Sequence, residues 1–173
     1  MQLKDVDKTE YLKRSRLVSI VLIVCFALTA MISGQALVYT VGNPEGSNFY
    51  LNLAGVILGI LSTSLLFTVY RSDPRLTDLL YVFRLKRMLA RVTNRMHNLK
   101  KLSGQNNEQA QIILRFYYEG LLQVYHLDSN EYGHAELEKE QQVFLDKLDD
   151  ELLNRPLPTM QPEMIEQAAK QAL

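Results

Sequence analysis

Two apolar stretches dominate the first half of the chain. The first runs from Leu17 to Val41, with Arg16 the last charge before it and Glu45 the next after it. The second runs from Phe49 to Tyr70, and Arg71 ends it. A helix needs about 20 apolar residues to cross about 30 Å of hydrocarbon, and both stretches meet that length. Core helices of soluble proteins rarely stay uncharged on every face for so long. A secretory signal's apolar region is only about 7–15 residues. The pattern therefore predicts a transmembrane helical hairpin over 17–70, with spans at 17–41 and 49–70. Asn43-Pro44 and Glu45-Gly46 supply turn chemistry between them.

Beyond Arg71 the pattern changes to one apolar face per helix. Asp73-Pro74 reads as a cap followed by a first helical residue, opening a helix to about Leu102. Leu85, Met88, Leu89, Val92, Met96 and Leu99 recur at three- and four-residue steps along it. Asn106 and Gln109 resemble a capping box for a helix ending near Leu127. That helix is apolar over most of its circumference, which suits a central position, and Gly120 suits a close helix contact. A charged amphipathic helix follows from His134 to about Leu153. Pro156, Pro158 and Pro162 then punctuate the chain before a short helix with Met164, Ile165, Ala168, Ala169 and Ala172 on one face. The expected fold is all-α: a transmembrane hairpin, then a small cytoplasmic helical bundle. The expected divisions are 1–16, 17–70, 71–155 and a Pro-punctuated tail at 156–173.

Small residues set a register for the hairpin. Ala27, Ala30 and Gly34 recur at i, i+3, i+7, as do Gly55, Gly59 and Ser62. In an antiparallel pair turning near residues 44–45, residues at equal depth have numbers summing to about 89. That pairs Gly34 with Gly55, Ala30 with Gly59, and Ala27 with Ser62. Small residues let helix backbones approach closely in lipid.

Charge sharpens this picture. The formal net charge is zero, with 19 basic and 19 acidic residues. By position it is uneven. Residues 71–101 hold nine bases and two acids, a net of +7, and residues 102–173 hold five bases and thirteen acids, a net of −8. Lys4, Lys8, Lys13, Arg14 and Arg16 precede the first span, bases follow the second, and the loop between has none. The positive-inside rule then puts both termini in the cytoplasm. Arg84, Arg87, Arg91 and Arg95 form a stripe beside the apolar face. Such a stripe suits anionic lipid headgroups, a protein partner, or the chain's own acidic helices.

The sequence carries no catalytic signature. It has no P-loop, dinucleotide fingerprint, nucleophile elbow, zincin pattern or cysteine pair, so neither an enzyme nor a cofactor is expected. Its only cysteine, Cys25, lies inside the first span. The spans hold no Lys, Arg, Asp, Glu or His, which argues against an ion-coupled transporter. His126, Asp128, Glu131 and His134 have ligand chemistry, but their spacing matches no established metal site. Nothing accompanies the basic stripe that would suit nucleic acid.

Several short runs, in order, carry a family likeness. They are Asn48-Phe49, Asn52-Leu53-Ala54-Gly55-Val56, Leu85-Lys86-Arg87, Arg91-Val92-Thr93-Asn94, Leu114-Arg115-Phe116-Tyr117 with Gly120-Leu121, and Leu127-Asp128. Over about residues 5–150 the chain resembles a gammaproteobacterial family of two-span inner-membrane proteins known only as a domain of unknown function, number three thousand and eighty-seven. The resemblance implies location in the bacterial inner membrane and adds no mechanism. The expectation is a membrane-anchored interaction or accessory module, with the lipid bilayer and a protein partner or second copy as its contacts. The alternative is a small oligomeric transport or channel subunit.

Overall fold

The computed structural model describes residues 1–171. Ala172, expected on the face of the last helix, lies outside them. The described residues are all-helical, with no strand among them. The helices are α1 (Lys8–Val41), α2 (Phe49–Tyr70), α3 (Thr77–Thr93), α4 (Met96–Ser103), α5 (Glu108–Leu127), α6 (His134–Leu145), α7 (Asp150–Asn154) and α8 (Pro162–Lys170). The chain forms two compact units. One is Leu12–Leu80; the other joins Met1–Tyr11 to the chain from Tyr81 onward. The hydropathy boundary at residue 16 and the proline boundary at residue 156 are features of composition. The units follow packing instead.

In the first unit α1 and α2 are each long and apolar enough to cross a membrane. Their large side chains point outward: Ile23 and Leu65 are about two-thirds exposed. What the pair buries is mostly small, with Gly34, Gly55 and Gly59 as its buried residues. The turn between them is tied by two asparagines. The Asn43 N–H donates to Asn48 Oδ1 at 2.9 Å, and Asn48 Nδ2 donates back to the Asn43 carbonyl at 3.2 Å. After α2, the Asp73 side chain accepts from the Arg75 N–H at 2.8 Å and caps a single 3-10 turn, Pro74–Leu76.

The second unit is built the other way round. Phe116, Leu85, Leu99, Ile113, Leu114 and Leu127 are almost fully buried. The central helix is α5, buried along most of its faces. At Gly120 an added Cβ would sit 3.1–3.2 Å from Leu89 and Leu85, so its absence lets α5 press against leucines of α3. The tail joins this core, with Met160, Ile165 and Ala168 fully buried. So does the N-terminal segment. Met160 N–H donates to the Met1 carbonyl at 2.8 Å, Lys4 N–H donates to the Tyr81 hydroxyl at 2.9 Å, and Gln123 Nε2 donates to the Lys4 carbonyl.

Three local details differ from the expectation. The helix expected from Pro74 to Leu102 is broken at Asn94-Arg95 into α3 and α4. Thr93 Oγ1 donates back to the Leu89 carbonyl at 3.1 Å, a bond that bends helices, and Asn94 is a weak helix former. The cap of α5 is Asn107 rather than Asn106. Asn107 Oδ1 accepts from the Ala110 N–H at 3.0 Å, while Asn106 takes a left-handed φ of 59° that asparagine tolerates. The charged helix after His134 is divided at Asp146–Asp149, where Asp149 is extended and starts α7. Aspartates favour helix starts over helix interiors.

Candidate functional site

Three features of the two units have functional content. The first is the seam between α1 and α2. An added Cβ on Gly55 would lie 2.6 Å from the backbone of Gly34 and 2.8 Å from the Ala30 carbonyl oxygen. One on Gly59 would lie 2.9 Å from Ala30 Cβ and 3.1 Å from the Phe26 carbonyl oxygen. The structure therefore brings Gly34 to Gly55 and Ala30 to Gly59. It does not bring in Ala27, which is exposed. The contact row on α1 advances by four residues, 26, 30 and 34, and a three-residue step leaves Ala27 about 60° off that row. Ser62 is half-buried and donates to its own helix, to the Gly59 carbonyl at 3.0 Å. Thr63 Oγ1, one residue on, is buried with no hydrogen-bond partner among the described residues.

The second feature is the basic stripe. α3 buries Tyr81, Val82, Leu85, Met88, Leu89 and Val92, and this fixes Arg84, Arg87 and Arg91 on its exposed side. The Arg87 guanidinium lies 5.7 Å from the centroid of the Phe83 ring, which is itself more than half exposed. Arg95 sits past the end of α3 and pairs with Glu166 of α8 at 3.0 Å. Lys86, on the same helix, pairs with Asp128 at 2.6 Å. Asp128 also accepts from the Tyr11 hydroxyl at 3.0 Å. Burial first, then Asp128, pushes the Tyr11 hydroxyl up to about 12; this residue precedes the apolar run of α1. The acidic part of the chain thus takes up two of the basic residues around α3, and Arg87 and Arg91 face outward. Of the ligand-type cluster around the α5–α6 turn, Asp128 is used in this way. His134 lies 3.5 Å from Glu138 on its own helix, and His126 is exposed.

The third feature is a groove of about 640 Å³ between the end of α4, the first half of α5, and α6. Its apolar lining is Leu114, Val143, Phe144 and Leu148. Tyr118 and Phe144 lie ring to ring at 5.3 Å. Burial above all, then the Glu140 carboxylate, raises the Tyr118 hydroxyl above its ordinary value. Gln111 also lines the groove and is the one buried polar residue among those described. The sequence pattern did not single out this groove, because residues 100–148 converge on it from three helices.

These observations define an all-helical protein with a pair of glycine-packed apolar helices and a separate helical unit with its own core. Residues 1–164 match the family described as protein of unknown function, DUF3087, and the chain belongs to that family. No curated protein and no solved structure matches the chain significantly.

Proposed function

We propose that this protein is a membrane-anchored helical module, held in the bacterial inner membrane by α1 and α2 with both termini cytoplasmic, that engages anionic headgroups or a partner protein through Arg87 and Arg91. The observation that carries the reading is the outward display of large apolar side chains along both helices, where Leu17, Ile32, Leu61 and Val69 are all more than half exposed. A water-soluble protein rarely exposes so large an apolar surface, whereas lipid satisfies it. The short turn without a base, flanked by basic segments, supports the orientation. The exposed Arg87–Phe83 pair supports the contact, since guanidinium and ring together suit the headgroup region.

Three measurements test this. Alkaline carbonate extraction should leave the protein with the membrane; release into the supernatant overturns the anchoring. With Cys25→Ser as background, an impermeant maleimide should label Gly46→Cys in intact spheroplasts and Glu138→Cys only after lysis; the reverse pattern overturns the orientation. Photoactivatable phosphatidylglycerol should crosslink several-fold less to Arg87→Glu/Arg91→Glu than to the parent. Equal yield and unchanged co-purifying proteins would remove the role of the stripe.

A further inference from the structure

We infer that the hairpin of α1 and α2 pairs with a second copy of itself through the side-chain amides of Gln35 and Asn52, an inference that rests on the membrane reading above. A hydroxyl can settle within its own helix, and several here do. Thr40 Oγ1 donates to the Ala36 carbonyl at 2.9 Å, and Thr68 Oγ1 to the Ser64 carbonyl at 2.8 Å. The turn asparagines, Asn43 and Asn48, bond each other. Gln35 and Asn52 differ. Both are exposed, and neither side-chain amide bonds another group among the described residues. Gln35 lies about 9 Å inside the end of α1 at Val41. In hydrocarbon an amide there leaves two donors and an acceptor unmet, which favours a partner that meets them.

The two amides share one side of the hairpin. Gly34 and Gly55 face each other across the seam. At about 100° per residue, Gln35 is turned about 100° from that direction. Asn52, three residues before Gly55 on the antiparallel helix, is turned about 60° to the same side and lies about 3 Å nearer the turn. Met31 beside Gln35 and Val56 beside Asn52 are 57% and 40% exposed and give that side an apolar surround. Each amide both donates and accepts, so a patch holding two is complementary to itself. A two-fold axis along the membrane normal sets α1 of one copy against α2 of the other, and Gln35 meets Asn52 twice at matched depth. A different protein would have to bring amides to both positions; a second copy carries them by symmetry. Gly55 and Gly59 are already used within the hairpin, which leaves the amides to hold the copies together.

The test is energy transfer between donor- and acceptor-labelled Glu45→Cys chains, in a Cys25→Ser background, in phosphatidylcholine vesicles. Transfer should persist when lipid is raised about tenfold over protein. Gln35→Leu/Asn52→Leu should weaken association at least about tenfold. Gln35→Asn/Asn52→Gln keeps both amides and should restore most of it. The intrachain Ala30→Cys/Gly59→Cys disulfide should form equally well with and without the leucines. Transfer that vanishes on dilution of the parent, or survives unchanged in the leucine variant, overturns the pairing. An intrachain disulfide that falls with the leucines overturns it too, by assigning the amides to the hairpin itself. Carbonate extraction keeps the two readings apart: a released chain removes the membrane anchoring, and a retained chain without transfer removes the pairing alone.

Discussion

The two units use leucine and glycine in opposite ways. In Leu12–Leu80 the large apolar side chains face out and glycines form the contact. In the unit built from Met1–Tyr11 and the chain from Tyr81, large side chains fill the inside and charged ones face out. On the proposed reading, the difference reflects the solvent each is made for. In water, burying a leucine is the driving force, so the core collects them. In lipid that force vanishes, and packing rests on close backbone approach between helices. The same chain thus carries two separate rules for what belongs at a contact, and substitutions should tell them apart.

The largest effect is expected in the water-facing unit. Phe116 is 1% exposed at the centre of α5. Phe116→Ala should cost about 3–5 kcal/mol, enough to abolish protection of α5 amides in hydrogen exchange. The same truncation at Phe49, which is largely exposed, should leave exchange in both units near the parent's. Equal sensitivity at the two positions would break the contrast.

Next comes the glycine seam, where the effect should depend on which glycine is changed. Gly55→Ala places its Cβ 2.6 Å from backbone that cannot rotate away, so the helices must separate. A cost of about 1–3 kcal/mol is expected. Gly34→Ala meets only Asn52, at 3.5 Å or beyond, and should be nearly neutral. The readout is the intrachain disulfide yield of Ala30→Cys/Gly59→Cys in a Cys25→Ser background. It should fall sharply with Gly55→Ala and hold with Gly34→Ala. Equal yields in the two would remove the backbone contact as the determinant of the seam.

Much of this was readable in advance, and the limits are physical. The two apolar runs and their register were legible because a helical hairpin maps number onto depth with little freedom. That is why Gly34 and Gly55 can be paired by arithmetic alone. Ala27 was misread onto the same row because small residues at i+3 and i+4 look alike in sequence, while the contact row follows one step only. The break at Asn94-Arg95 depends on a threonine hydroxyl choosing its own helix carbonyl, which periodicity does not encode. The N-terminal segment's docking is further from reach still. It rests on backbone bonds between Met1 and Met160, and backbone groups carry no sequence signature. The groove escaped for a related reason: its lining comes from three helices, and only the fold brings those residues together.

A smaller effect probes how the N-terminal segment holds to its unit. The Tyr11 hydroxyl donates to Asp128, and its titration is raised from 10 to about 12. A group whose folded value is raised contributes stability that is fully present below the unfolded value. It is lost as pH rises through the folded one. Stability of this unit should therefore fall between pH 10 and pH 12. The comparison with Tyr11→Phe isolates the tyrosine from every other group that titrates. The variant should show a shallower alkaline decline in thermal midpoint. An identical decline would mean that the hydroxyl titrates as freely as in the unfolded chain.

The smallest effect concerns the arginine that the acidic tail takes up. Arg95 and Glu166 are 3.0 Å apart, but both side chains are over two-fifths exposed. Water and salt screen such a pair, so Arg95→Ala should cost at most about 1 kcal/mol, and less at high ionic strength. Its interest lies in specificity. Arg87 and Arg91 face outward, so reversing them should alter lipid or partner contact and leave the fold unchanged. Reversing Arg95 should do the opposite: it should loosen α8, seen as faster exchange over residues 163–170, with little change in lipid crosslinking. If Arg95→Glu instead reduced lipid crosslinking as much as Arg87→Glu/Arg91→Glu, the pair with Glu166 would have to open at the membrane. The neutral charge sum would then reflect competition between the chain's own carboxylates and an external anion for the same arginine.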